Sequence, residues 1–298
     1  MICRGLLGLG LTLGVAGHAD SPARPQLMLC GWDEVFILAL PVEPGSAPET
    51  VWSWKAEEDP GVPAELRRAF RTTDDVKAVD SGRRILISSS SGGIALVDRA
   101  TRRATFCARV VNAHSIEWLP GGRIAAAASV GSAPGANRVV VFDSLRGREV
   151  AEAPLPSAHG LVWEEAAGRL WALGFDQLQA YALEDTSGGL SLRLVQSFPL
   201  PDPDGHDLVA EPGGRGLLLT THAQVWRFDR DRQDFTPFAP LAGRARVKSV
   251  SVHPKTGRLA AVQAEGENWW SEQVLFPGEE PPALRLPGRR LYKARWLP

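Results

Sequence analysis

The chain has 298 residues, of which 44% are hydrophobic and 22% charged, with a formal net charge of −1. That length can bury one large core but not several independent large ones. The balanced charge gives no basic field for nucleic acid or an anionic membrane surface. Glycine and proline are plentiful, at 30 and 23 residues, as expected where many tight turns join short strands.

Residues 1–19 read as a signal peptide. Arg4 supplies the positive start, residues 5–17 are apolar, and Gly17-His18-Ala19 presents small residues at the positions a signal peptidase reads. The apolar run is too short for a comfortable membrane span. The expectation is export to the periplasm or the extracellular space, with no membrane insertion after cleavage. Residues 20–298 then form a single domain.

Three strands open that domain, at 26–31, 34–40 and 50–55, followed by a short helical stretch at 63–70. From there short strands come in fours, bounded by Gly, Pro, Asn and Asp. The first set is 76–79, 84–88, 93–98 and 104–110, and the second 114–118, 123–129, 138–143 and 149–153. The third is 159–163, 169–173, 178–183 and, after a polar excursion at 184–189, 190–198. The fourth is 206–209, 217–221, 224–229 and 235–237, and the fifth 248–252, 258–264, 272–276 and 283–286. One last strand, 292–297, stands alone. Added to the three opening strands it makes a sixth set, which removes the free sheet edges. The fold expected is an all-β, six-bladed β-propeller of WD40-like texture, its ring closed by the C-terminal strand. Trp-Asp dipeptides are absent from the repeat positions.

A cation marks the start of each inner strand: Lys77, His114, His159, His206, Lys248 and Lys293, at steps of 37, 45, 47, 42 and 45 residues. A period of roughly 40–45 residues is that of a four-stranded blade. The inner strands line the axis, so these six side chains are expected as a ring at one mouth of the channel. Loops between second and third strands reach the same mouth and bring Trp32, Asp176, Glu265, Trp269 and Trp270, while blade connections add Asp74, Asp75, Asn112 and Tyr292. His222 lacks an equivalent in other blades and reads as a surface loop residue. Cys30 and Cys107 fall in non-equivalent strands of neighbouring blades, which favours two free thiols over a disulfide.

Three imidazoles from adjacent blades, His114, His159 and His206, have the chemistry to hold one divalent metal ion, with Asp176 or Glu265 completing the shell. The three lysines suit a carboxylate, sulfate or phosphate, and the indoles suit a flat ligand face. The leading expectation is a monomer that binds a small anionic ligand, such as an acidic sugar, at the His/Lys ring. A metal-assisted lyase or hydrolase at the same site is one alternative. A protein-interaction scaffold with a purely structural ring is another, because repeat proteins reuse structural residues. Nucleophile elbow, nucleotide loop and zinc-protease motif are all absent.

The segments Cys30-Gly31-Trp32-Asp33-Glu34-Val35, Asn112-Ala113-His114-Ser115-Ile116, Ala158-His159-Gly160, Gly205-His206-Asp207-Leu208, Val247-Lys248-Ser249 and Tyr292-Lys293 carry a resemblance. Together they resemble an uncharacterised family of exported bacterial WD40-like propellers, a domain of unknown function. The resemblance implies six blades and export, and no reaction. A weaker analogy is to oligogalacturonate lyase, another exported propeller with several axial His ligands, but no extended motif here matches it.

Overall fold

The computed structural model describes residues 24–41, 46–187 and 189–297. The signal peptide expected at 1–19 lies outside the described residues. Six four-stranded antiparallel sheets surround one axis, and each inner strand touches the inner strand of the next sheet around the closed ring. Blade 1 takes its inner strand from the C-terminus, Lys293–Trp296, and its others from the N-terminus, Gln26–Gly31, Glu34–Ala39 and Glu49–Trp54. The closure is in register, with Leu27 opposite Trp296 and Cys30 opposite Lys293. The inner strands of blades 2 to 6 are Thr73–Val79, Ala113–Leu119, Gly160–Glu164, Asp207–Ala210 and Val247–Val252.

The composition of the strands follows from their place between blades. Both faces of a second strand meet a neighbouring blade, so both must be apolar. In Arg123–Ala128, Ile124, Ala126 and Ala128 pack with Leu86 and Ile94 of blade 2. The alternate residues Ala125 and Ala127 pack with Leu161 and Leu170 of blade 4. Outer strands meet solvent and alternate, as Glu49–Trp54 does with Trp52 and Trp54 buried.

Two local expectations change. The described residues of the polar stretch 184–189 belong to a hairpin, because Gln177–Thr186 and Gly189–Pro199 stay paired beyond the sheet. The helical stretch is one turn, Ala64–Arg67, tightened into a 3-10 turn at Arg68–Phe70. Cys30 is buried, Cys107 half-buried, and both are free. Among the described residues no helix is long and apolar enough to cross a membrane.

Side chains near the axis hook each inner strand to the next. The Leu161 amide donates to Ser115 Oγ at 3.2 Å, the Val250 amide to Asp207 Oδ2 at 3.1 Å, and the Ala294 amide to Ser249 Oγ at 3.1 Å. Blades 4 and 5 approach still more closely at Gly160, where an added Cβ would lie 2.5 Å from Leu208 Cβ and 2.9 Å from its amide nitrogen. Neither atom is on a flexible tip. Gly160→Ala is therefore expected to destabilise the protein by about 1–3 kcal/mol, the usual cost of overpacking. Urea unfolding measures this as a lower midpoint at unchanged slope.

Candidate functional site

The pairing registers determine which residues share a layer of the axis. Asp75 pairs with Ser88, Ser115 with Ala127, Gly160 with Leu173, Asp207 with Thr220, Ser249 with Val262 and Lys293 with Cys30. The inter-blade hooks keep the same offset, which fixes these six as one layer. The layer above, at the mouth, is Asp74, His114, His159, His206, Lys248 and Tyr292. In blades 2, 3 and 6 its member sits at a bulge, where the register shifts past Asp74, His114 and Lys248.

The expected ring of six cations is thereby corrected. His114, His159, His206 and Lys248 share the mouth. Lys293 lies one layer deeper and Lys77 three residues below Asp74. The true spacing across the first step is 40 residues, from Asp74 to His114, in place of 37.

The deeper layers hold a largely buried ion cluster beside the axis. The Arg295 guanidinium donates to Asp207 Oδ2 at 2.8 Å and to Asp207 Oδ1 at 2.5 Å, and reaches Asp75 Oδ1 at 3.0 Å. Lys293 Nζ, fully buried, lies 3.1 Å from Asp207 Oδ1 and donates to the His114 carbonyl at 3.2 Å. Lys77 Nζ donates to Glu117 Oε2 at 2.8 Å and to the Leu161 carbonyl at 2.6 Å. Three cations thus face three carboxylates: Lys77, Lys293 and Arg295 against Asp75, Glu117 and Asp207. Burial alone would raise the Asp207 carboxyl, but Arg295 and then Lys293 outweigh it and hold it well below the usual carboxylate range. The cluster is neutral and needs no bound anion to balance Lys77 and Lys293.

The mouth layer is set by desolvation. Burial, aided by the neighbouring His206, pushes His159 down to about 3. Burial also pushes His114 well down, and it lowers His206 against the opposing pull of Asp204. Burial thus favours the neutral form of all three imidazoles. His159 Nδ1 lies 2.8 Å from the Ser157 carbonyl, which assigns the proton to Nδ1 and leaves Nε2 as an acceptor. His114 Nε2 is 3.0 Å from Asn112 Oδ1, and its Nδ1 is 3.3 Å from Asp74 Oδ1. Burial raises Asp74 to about 7, although the Ser90 amide donates to it. Lys248 Nζ stands 2.9 Å from His206 Nε2, and burial lowers it to about 8.

The three expected metal ligands lie side by side without converging. The His114 and His159 rings lie against each other at a tilt of 34° with centroids 4.2 Å apart, and His159 meets His206 edge-on at 5.5 Å. Among the described residues the three donors that come within 4.8 Å of one another are Asp204, His206 and His222. Of these the sequence singled out only His206. Glu265 turns away from the axis, bonding the Gln273 side chain at 2.5 Å, with Arg285 3.6 Å away. Asp176 is exposed on its loop, where its carbonyl accepts the Leu200 amide. The indoles do gather at the mouth. Trp269 stacks on Trp32 at 5.1 Å, Trp270 meets Trp32 edge-on at 6.0 Å, and Trp269 meets Tyr292 at 5.6 Å. Arg290 caps Trp32 at 4.4 Å, and Arg246 holds the 265–270 loop through the Gly266 and Asn268 carbonyls.

These environments predict an acid-labile fold. His159 titrates near 6.5 when unfolded and near 3 when folded, so the unfolded chain binds more protons between those values. Its contribution is intact above pH 6.5 and lost as pH falls towards 3, with each tenfold difference in proton affinity amounting to about 1.4 kcal/mol. His114 and His206 act in the same direction. Asp74 acts oppositely, since its raised pKa stabilises the fold at low pH and that contribution is lost as pH rises through about 7. Three imidazoles outweigh one carboxyl, so the urea midpoint should fall from pH 6.5 to pH 4. The fall should be shallower in His159→Gln.

A family model described as "Family of unknown function (DUF6528)" matches residues 38–298. A search of curated proteins returns no match. Among solved structures, a chain of Kuenenia stuttgartiensis hydrazine synthase is similar, with a TM-score of 0.51 and 15% sequence identity over 72% of this chain. The match spans 65% of that enzyme's chain, and at this identity it bears on the propeller fold alone. The chain, matched over 38–298, belongs to the DUF6528 family, a family of unknown function.

Proposed function

We propose that this propeller binds a small organic anion with a flat apolar face, such as an acidic sugar, at the axial mouth. The observation that supports the reading is Lys248. It is the cation of the mouth layer, it is 7% exposed, and the cluster beneath it is already neutral. Burial disfavours its charged form, Arg246 adds to that, and Asp204 offsets only part of it. A ligand carboxylate beside Nζ would favour its charged form further and gain a charge-assisted hydrogen bond. Neutral imidazoles around it offer hydroxyl partners, His159 through Nε2. Trp269, 40% exposed, offers an indole face of the kind that stacks on the apolar side of a sugar ring. The reading includes export, since residues 1–19 carry the order of charge, apolar run and small residues of a signal peptide.

Titration with galacturonate and glucuronate, followed by indole fluorescence in the presence of a chelator, tests it. The uronates should bind and the neutral sugars galactose and glucose should not. Lys248→Met should weaken uronate binding about 10- to 100-fold, the loss expected for one hydrogen bond to a charged group. Trp269→Ala should weaken it while leaving the unfolding midpoint near that of the wild type. Equal response to charged and neutral sugars, or unchanged uronate affinity in Lys248→Met, would refute the reading.

A further inference from the structure

Asp204, His206 and His222 come from two segments that meet at the mouth side of blade 5. The connection from blade 4 carries Asp204 and His206, and the turn between the second and third strands of blade 5 carries His222. Asp204 Oδ2 lies 3.4 Å from His206 Nε2 and 3.5 Å from His222 Nδ1. The backbone fixes two of the three. The Asp204 amide donates to the Phe175 carbonyl at 2.6 Å and the His206 amide to the Thr220 carbonyl at 2.8 Å. Gly205 between them passes so close to blade 4 that a Cβ would lie 2.5 Å from the Gly174 carbonyl oxygen. His206 is buried, and its Nδ1 has no hydrogen-bond partner among the described residues. His222 is exposed, so its ring can turn towards the other two.

We propose that these three side chains form a site for one divalent transition-metal ion of the zinc, cobalt or nickel kind. An ion about 2.1 Å from each of its tetrahedral ligands sets those ligands about 3.4 Å apart. The two separations measured from Asp204 have that length. Two imidazoles and one carboxylate suit borderline ions, whereas calcium and magnesium favour all-oxygen sites. Three protein ligands leave a fourth position for water or an exogenous ligand. Lys248 already sets a positive charge 2.9 Å from His206 Nε2. In the metal-bound protein the ion takes the place of that ammonium, and Lys248 is its competitor. This site uses Asp204 and His222, which the anion reading does not need, and Lys248 acts in opposite senses in the two.

The test is titration of the full chain, free of any polyhistidine tag, with Co²⁺, read by the visible absorption of four-coordinate cobalt. Zn²⁺ competition against a chromophoric chelator supplies the affinity. One equivalent should bind. Asp204→Asn and His222→Ala should each weaken binding tenfold or more, and Lys248→Met should strengthen it several-fold. His222 is a surface residue, so its removal leaves the fold intact and keeps the test decisive. Substoichiometric uptake by the wild type would overturn the proposal, as would wild-type affinity in both Asp204→Asn and His222→Ala. Cobalt binding that persists where uronate binding fails supports the metal site alone.

Discussion

A guanidinium on the last strand, held between aspartates from two other blades, closes this molecule. Arg295 arrives at the axis with the C-terminal strand and meets Asp207 of blade 5 and Asp75 of blade 2. Isolated charges at that depth would cost several kcal/mol each. They are tolerated because each has an opposite partner at hydrogen-bond distance, and because Lys293, Lys77 and Glu117 bring the total to zero. The cluster couples blades that share no hydrogen-bonded edge. It therefore reinforces the strand pairing of Leu27 with Trp296 and Cys30 with Lys293.

The same cluster shapes the mouth. The mouth layer of side chains lies over this neutral cluster. Electrostatics there are set by few groups: Lys248, Asp204 and Asp74, whose carboxyl burial raises to about 7. Desolvation keeps the imidazoles neutral, which makes them hydrogen-bonding and metal-ligating groups in place of added positive charge. The aromatic cluster occupies one side only, where blade 6 meets blade 1, and Asp204 and His222 stand at blade 5. The mouth is thus asymmetric although the fold repeats six times.

Much of the architecture was legible in the sequence because a propeller repeats its strands and turns at a fixed period. The count of blades and the closure by residues 292–297 followed from counting strands alone. Layer assignment was harder. A bulge sets two residues of one strand opposite one of its partner, but the inner strands are buried on both faces and show little alternation for it to break, so those at Asp74, His114 and Lys248 left no readable mark. Lys77 was matched to the histidines by charge, and the short 37-residue step was the one sign that Asp74 was the true equivalent. Glu265 was placed by loop membership, which says nothing of the Gln273 side chain that draws it aside. His222 was set aside for lacking an equivalent in other blades. Its partner Asp204 lies in a connection whose path no repeat dictates, and only the folded chain brings the two together.

A double-mutant cycle between Asp207 and Arg295 tests the axial closure most directly. Urea unfolding would be compared for the wild type, Asp207→Asn, Arg295→Met and the double variant. Breaking either side of a buried pair costs about 3–5 kcal/mol, since it leaves the partner charge uncompensated. Removing both should cost clearly less than the sum of the two single losses, by about 2 kcal/mol or more. Additivity to within about 0.5 kcal/mol would mean that the two side chains act independently, and would contradict a closure built on their pairing.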